Sequence, residues 1–156
     1  MTIAFKQGNL LTEPVDVLVC PVNCVGVMGK GLALQFKRQF PDNFRAYRQA
    51  CRDGVMRPGR VLSVPTGQPL PRYVINLPTK RHWRNPSRLD DVDAGLKALA
   101  IELQMLDVTS IAIPALGCGL GGLDWSQVKP FVVATFAEFP ELLVVVFEPR
   151  LKGKST

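Results

Sequence analysis

Residues 110–125 read Ser110-Ile111-Ala112-Ile113-Pro114-Ala115-Leu116-Gly117-Cys118-Gly119-Leu120-Gly121-Gly122-Leu123-Asp124-Trp125. An apolar β-run passes into four glycines within six residues, then into a helix start at Asp124. A strand that ends in a glycine loop and meets a helix presents bare backbone N–H groups to a phosphate. Glycines allow positive φ and carry no Cβ to hold the ligand off. The stretch predicts an α/β domain that takes a phosphorylated small molecule or a nucleotide.

The same alternation runs through the rest of the chain. Strands are expected at Ile3–Lys6, Val15–Val22, Arg60–Pro65, Arg72–Leu77, Ser110–Pro114 and Leu142–Phe147. Several are apolar at consecutive positions, as in strands covered on both faces. Between residues 88 and 107, Leu89, Val92, Leu96, Leu99, Leu103 and Leu106 recur at helical spacing, with Ser87 as the expected N-cap and Asp90, Asp91 and Asp93 near the positive end of the dipole. Further helices are expected at 31–40 and 41–53, the second closed by Gly54 and carrying Arg45, Arg48 and Arg52 opposite Phe44, Tyr47 and Cys51. A last helix follows Trp125, and Pro130 is expected to break it and begin a new first turn. The sum is a three-layer α/β/α domain with a largely parallel or mixed sheet of about six strands.

The 156 residues suffice for one domain with a real core, and 47% apolar with 21% charged is ordinary for a soluble protein. No apolar run is long enough to span a bilayer, and the N-terminus reads as a first strand, not a signal peptide. Cys20, Cys24, Cys51 and Cys118 show no framework spacing; with no export signal they suggest a reduced, cytoplasmic setting. Cys20 and Cys24 lack the second ligand pair that a zinc site needs, so no metal is expected. Residues 30–88 hold 13 Lys/Arg against 2 Asp/Glu, whereas residues 89–149 hold 2 against 9. A basic block of this kind either meets a polyanion or is simply a solvated face.

A second glycine loop, Val22-Asn23-Cys24-Val25-Gly26-Val27-Met28-Gly29-Lys30-Gly31, again follows an apolar strand and opens a helix. It lacks the Ser/Thr and the first Gly of a phosphate-binding P-loop. The later loop does satisfy G-x-G-x-x-G, and Glu148 ends the following strand, so a dinucleotide-binding reading competes. That reading leaves the earlier loop unused. Two glycine loops at strand C-termini instead suit a clamp on a diphosphate. After Tyr73–Leu77 comes Pro78-Thr79-Lys80-Arg81-His82-Trp83-Arg84. Lys80 stands on the ligand side, with cationic neighbours that favour nucleophilic chemistry. Trp83 among basic residues suits stacking on a nucleobase, or else anchors the loop. His82 lacks a carboxylate to orient it, and Cys118 is expected to pack inward.

Gln7-Gly8-Asn9-Leu10, Val22–Ala33, Asn76–Trp83 and Pro114–Trp125, in this order, resemble the macrodomain family of ADP-ribose-binding modules. The details of both loops and of Leu77–Arg84 resemble the branch that hydrolyses ADP-ribose from DNA, the antitoxin to a DNA ADP-ribosyltransferase. The resemblance implies a macrodomain over residues 1–150 and a linker stub over 151–156. It implies that the domain removes ADP-ribose from thymidine in single-stranded DNA, without cofactor or membrane. The cognate toxin would be met mainly through a region outside this chain. Lys80 would be catalytic. ADP-ribose would lie against Gly8, Asn9, Leu10, Asn23, Gly26, Val27, Met28, Gly29, Lys30, Gly31, Thr79, Gly117, Cys118, Gly119, Leu120, Gly121 and Gly122. Arg81, His82, Trp83 and Arg84 would touch DNA.

Two positions depart from the family pattern. Many macrodomains have Asp where Asn9 stands; an Asn side-chain carbonyl still accepts from an adenine amino group. A branch acting on protein ADP-ribose pairs its lysine with an aspartate at the position of Gly121, so Lys80 lacks that partner. A non-catalytic ADP-ribose reader and a hydrolase of ADP-ribosylated protein carboxylates are the competing functions.

Overall fold

Val17, Leu18, Val19 and Cys20 are all fully buried, which requires layers on both sides of their strand. The computed structural model describes residues 2–150. Its elements are β1 (Thr2–Lys6), a 3-10 turn (Leu10–Thr12), β2 (Val17–Asn23), α1 (Gly31–Gln39), α2 (Pro41–Arg52), β3 (Leu62–Pro65), β4 (Tyr73–Lys80), α3 (Leu89–Met105), β5 (Ser110–Pro114), α4 (Trp125–Phe136) and β6 (Leu143–Phe147). One six-stranded sheet runs β1-β6-β5-β2-β4-β3. All pairings are parallel except β3 with β4, so the sheet is mixed.

Alternate residues of β2 serve opposite layers. Val17 and Val19 join Leu96 and Leu99 of α3 and Val128, Val132 and Phe136 of α4 in one core. Leu18 and Cys20 join Phe36 of α1 and Tyr47 of α2 in the other. The α3 stripe is buried as its spacing predicts. Gly95 lets α3 lie close on β4, because a Cβ there would stand 2.7 Å from the Leu77 side chain.

Three local expectations change. β4 runs to Lys80, three residues past Leu77, and pairs with β2 as far as Asn23↔Lys80. Pro78 is tolerated because β3 reaches only to Asn76, leaving no neighbour on that side to need its missing N–H. α4 passes unbroken through Pro130. There the Asp124 cap holds the first turn, its carboxylate accepting from Ser126 N–H at 3.0 Å, so the turn does not depend on the bond the proline lacks. Ser87 does not cap α3; Arg88 holds that position without a side-chain bond, and the Ser87 backbone N–H donates instead to Gly121 O at 2.9 Å. The stub at 151–156 lies outside the described residues.

Candidate active site

In a parallel sheet the C-terminal strand ends share one edge, where ligands bind. Here β5, β2 and β4 are neighbours, and they deliver Gly117–Gly122, Asn23–Gly31 and Lys80 to that edge. Gly8, Asn9 and Leu10 follow β1 at the same edge, two strands from β5. The two loops touch: a Cβ on Gly31 would be 3.6 Å from Leu120 Cδ1. Other hollows lie away from this edge, one beside Phe40 and Thr66, the other about 280 Å³ and lined by Leu103, Phe139 and Leu142.

The earlier loop is organised by Asn23. Its Oδ1 accepts from Val25 N–H at 3.1 Å and Val27 N–H at 3.3 Å, and its amide donates to Val27 O at 2.7 Å. The Tyr47 hydroxyl lies 2.6 Å from that Oδ1 and 2.9 Å from Asn23 O. Burial drives the Tyr47 phenol pKa well up, so it stays a neutral donor. Asn23 is thus a buried scaffold for the loop, and Tyr47 supports that scaffold, a role that the apolar side of its helix hid from sequence reasoning. Met28 is also core, whereas Val27, Gly29, Lys30 and Gly31 are exposed. Gly26 needs its glycine for a φ of +83°.

The later loop is held by backbone. Leu123 N–H donates to Gly117 O at 2.9 Å and Gly122 N–H to Gly119 O at 3.3 Å. A Cβ on Gly121 would lie 2.2 Å from Ser87 Oγ and 2.4 Å from Gly117 O. Gly121 is therefore fixed by packing: no side chain fits, an acid included. Ser87 is a second residue that sequence reasoning missed, since its value lies in contact across 34 positions. Gly119 has nothing within 4 Å, and Leu120 is 68% exposed. The half-buried Cys118 thiol points to Leu116 O at 3.4 Å, and burial with nearby Asp124 pushes its pKa up to about 11. It stays protonated near neutrality, which disqualifies it as a nucleophile.

Lys80 is half-buried at the end of β4, and its Nζ donates to Trp83 O at 3.4 Å. The surrounding cations are not free, as the sequence run suggested. Arg81 makes a two-pronged pair with buried Asp91 at 3.1 and 3.2 Å. Arg84 stacks on the Trp83 ring at 4.6 Å, and its N–H donates to His82 Nδ1 at 3.1 Å. Trp83 is 46% exposed, so it is a usable stacking face rather than a buried anchor. Thr79 is buried beneath Lys80.

At the β1 end, Asn9 Oδ1 accepts from Leu11 N–H at 3.0 Å and caps the 3-10 turn. A second lone pair remains for a ligand. The Leu10 side chain is buried, which leaves its backbone to face the edge. Gly8 is exposed with a φ of +136°. Glu148, the acid a dinucleotide reading would use for a ribose, is committed elsewhere. It accepts from the Trp125 indole at 2.8 Å and Lys129 at 3.1 Å, which hold it below the usual carboxylate range. Among the described residues no group of three or more His, Cys, Asp or Glu converges as metal ligands would.

The family profile described as Macro domain matches residues 19–132. The macrodomain of Mycobacterium tuberculosis DarG superposes with a TM-score of 0.92 at 47% identity, over 95% of this chain and 98% of that one. The DNA ADP-ribosyl glycohydrolase of Thermus aquaticus is 51% identical over 149 residues, 94% of this chain and 41% of that protein. Thermosipho africanus DarTG, solved in complex with ADP-ribose, matches at 32% identity with a TM-score of 0.89, over 96% of this chain and 42% of that one. The chain spans about two fifths of the length of the DNA ADP-ribosyl glycohydrolases it matches.

Proposed function

This chain belongs to the macrodomain family, and we propose from that premise that it binds ADP-ribose and hydrolyses it from thymidine in single-stranded DNA. The observation that carries the reading is Lys80 at the end of β4, next to the earlier glycine loop on β2, with the later loop on β5 one strand further along the same edge. The naming of relatives as DNA ADP-ribosyl glycohydrolases supports it, and the fusion of such a domain to a transferase in Thermosipho africanus supports an antitoxin role against a DarT-like toxin. The free cysteines accord with a cytoplasmic setting.

The backbone N–H groups of Gly117–Gly122 that are not taken by Ala115 O and Gly119 O receive the diphosphate, and the earlier loop holds the distal ribose. The scissile bond joins the anomeric carbon of that ribose to a thymine nitrogen. Water supplies hydroxyl to the carbon, and the thymine leaves with the proton. Lys80 is the group positioned to act, either by attacking the anomeric carbon or by polarising the sugar as a cation. Since Gly121 admits no side chain, the second loop supplies no acid at that position. Exposed Trp83 and Arg84 offer stacking and charge to the neighbouring nucleotides.

Lys80→Ala is expected to bind ADP-ribose within about tenfold of the parent and to release none from ADP-ribosylated DNA. Normal turnover by that variant would sink the mechanism. Borohydride trapping of a lysyl–sugar adduct separates the covalent route from polarisation. Side-by-side assays on ADP-ribosyl-glutamyl protein test the rival substrate: equal or faster release from protein would overturn the DNA assignment. Binding without release from either substrate would make the domain a reader.

A further inference from the structure

The earlier loop is bordered on its outer side by α2, where the basic block takes on a definite shape. A Cβ on Gly26 would lie 3.3 Å from Arg48 Cγ and 3.7 Å from Cys51 Cβ. Cys24 is coupled electrostatically both to Cys51 and to the Arg81–Asp91 pair. The lysine segment, the earlier loop and the C-terminal half of α2 are therefore successive neighbours.

Arg48 and Arg52 are exposed one turn apart on α2. The Arg48 guanidinium lies 5.4 Å from the centre of the Phe44 ring, and Lys37 of α1 lies 4.5 Å from the same ring. Among the described residues, none of Lys37, Arg48 and Arg52 has a carboxylate at ion-pair distance, whereas Arg45 and Arg81 do. A row of cations without internal counter-charge is self-repelling, and a polyanion relieves it.

We propose that the row Arg52–Arg48–Lys37 is the track for the single-stranded DNA that flanks the modified nucleotide. This rests on the function proposed above and adds where the strand runs. The row meets the earlier loop at Arg48, beside Gly26, so the strand runs past that loop. From Arg52 to Phe44 the helix rises about 12 Å. At about 3.4 Å per stacked nucleotide, the track holds roughly four nucleotides on one side of the modified base.

The test uses ADP-ribosyl-thymidine nucleoside, ADP-ribosylated oligonucleotides with graded flanks, and unmodified single-stranded DNA. Release by the parent should rise with flank length on one side to about four nucleotides and then level. R48Q/R52Q should lose about tenfold in kcat/KM on the flanked oligonucleotide at low salt. The salt slope of its DNA binding should fall by about 1.4, about 0.7 for each cation removed. Turnover of the nucleoside should stay within about twofold of the parent, since no flanking phosphate is present to lose.

K37Q, which does not touch the earlier loop, should lower the slope by about 0.7. Parental rates and slopes on DNA in all variants would overturn the track. If R48Q/R52Q slows the nucleoside equally, the loop is damaged and K37Q decides: an unchanged slope overturns the track. If the parent releases nothing from any DNA substrate, the proposed function fails instead. Anisotropy with unmodified DNA then decides the track, and equal slopes in parent and variants refute it.

Discussion

The two glycine loops look alike in sequence and are built in opposite ways. Asn23–Gly31 is held by side chains: one buried asparagine satisfies the loop backbone and is itself clamped by Tyr47. Gly117–Gly122 is held by backbone bonds and by the absence of side chains, with Gly121 pressed against Ser87 and Gly117 O. Glycine therefore does different work in the two. In the later loop Gly117 and Gly121 are required so that the chain can fold onto itself. In the earlier loop Gly26 and Gly31 are held by positive φ, and Gly29 alone has room without that constraint, with a nearest contact of 3.5 Å for an added Cβ.

That contrast breaks most sharply at Gly121. Gly121→Ala must displace a backbone oxygen, and is expected to cost about 3 kcal/mol, a fall in Tm of roughly 10 °C, with loss of ADP-ribose binding by calorimetry. Gly119→Ala, two residues away in open space, should stay within about 0.5 kcal/mol. Any affinity it loses then reports the ligand meeting the new methyl group. Equal stability losses at the two positions would refute the packing account.

In the earlier loop the sensitive residue is polar. Asn23→Ala strips the acceptor from Val25 N–H, Val27 N–H and the Tyr47 hydroxyl, and should cost about 2 kcal/mol in urea unfolding. Tyr47→Phe should cost about 1 kcal/mol, because the two loop N–H groups keep Oδ1. A Tyr47→Phe protein less stable than Asn23→Ala would place the organising role on the tyrosine.

The smallest effect concerns the exit of the later loop, where Trp125 and Lys129 hold Glu148. Its folded pKa is depressed, so its contribution is complete above the unfolded value of about 4.3. The contribution is lost as pH falls through the lower folded value. Glu148→Gln should therefore lower Tm slightly near neutrality, and the difference from the parent should vanish in acid. A difference that grows on acidification would reverse the assignment.

Much of this was readable from residue order. The apolar runs of β2, β5 and β6, the α3 stripe and the glycine loops after strands predict the layers and the edge at which a ligand sits. Lys80 was readable as lying at the strand-end edge but not as a strand residue, because the limit of β3 at Asn76 is what permits Pro78 in β4. Ser87 read as a helix cap because the serine stands just before an amphipathic run. Its backbone is used instead by Gly121, a partner 34 positions away. Arg81 read as a cationic neighbour of Lys80, and only the fold brings Asp91, in the first turn of α3, to pair with it.

The sequence by itself determined the periodicities, and with them the elements and the two-sided burial, since hydrophobic spacing and glycine spacing are local properties; the family rests on the resemblance of its ordered motifs. Only the tertiary structure decided which glycines are obligatory, which cations stay unpaired and which asparagine organises its loop. Those outcomes turn on steric and electrostatic contacts between segments far apart in the chain, and such contacts exist only once the layers have packed.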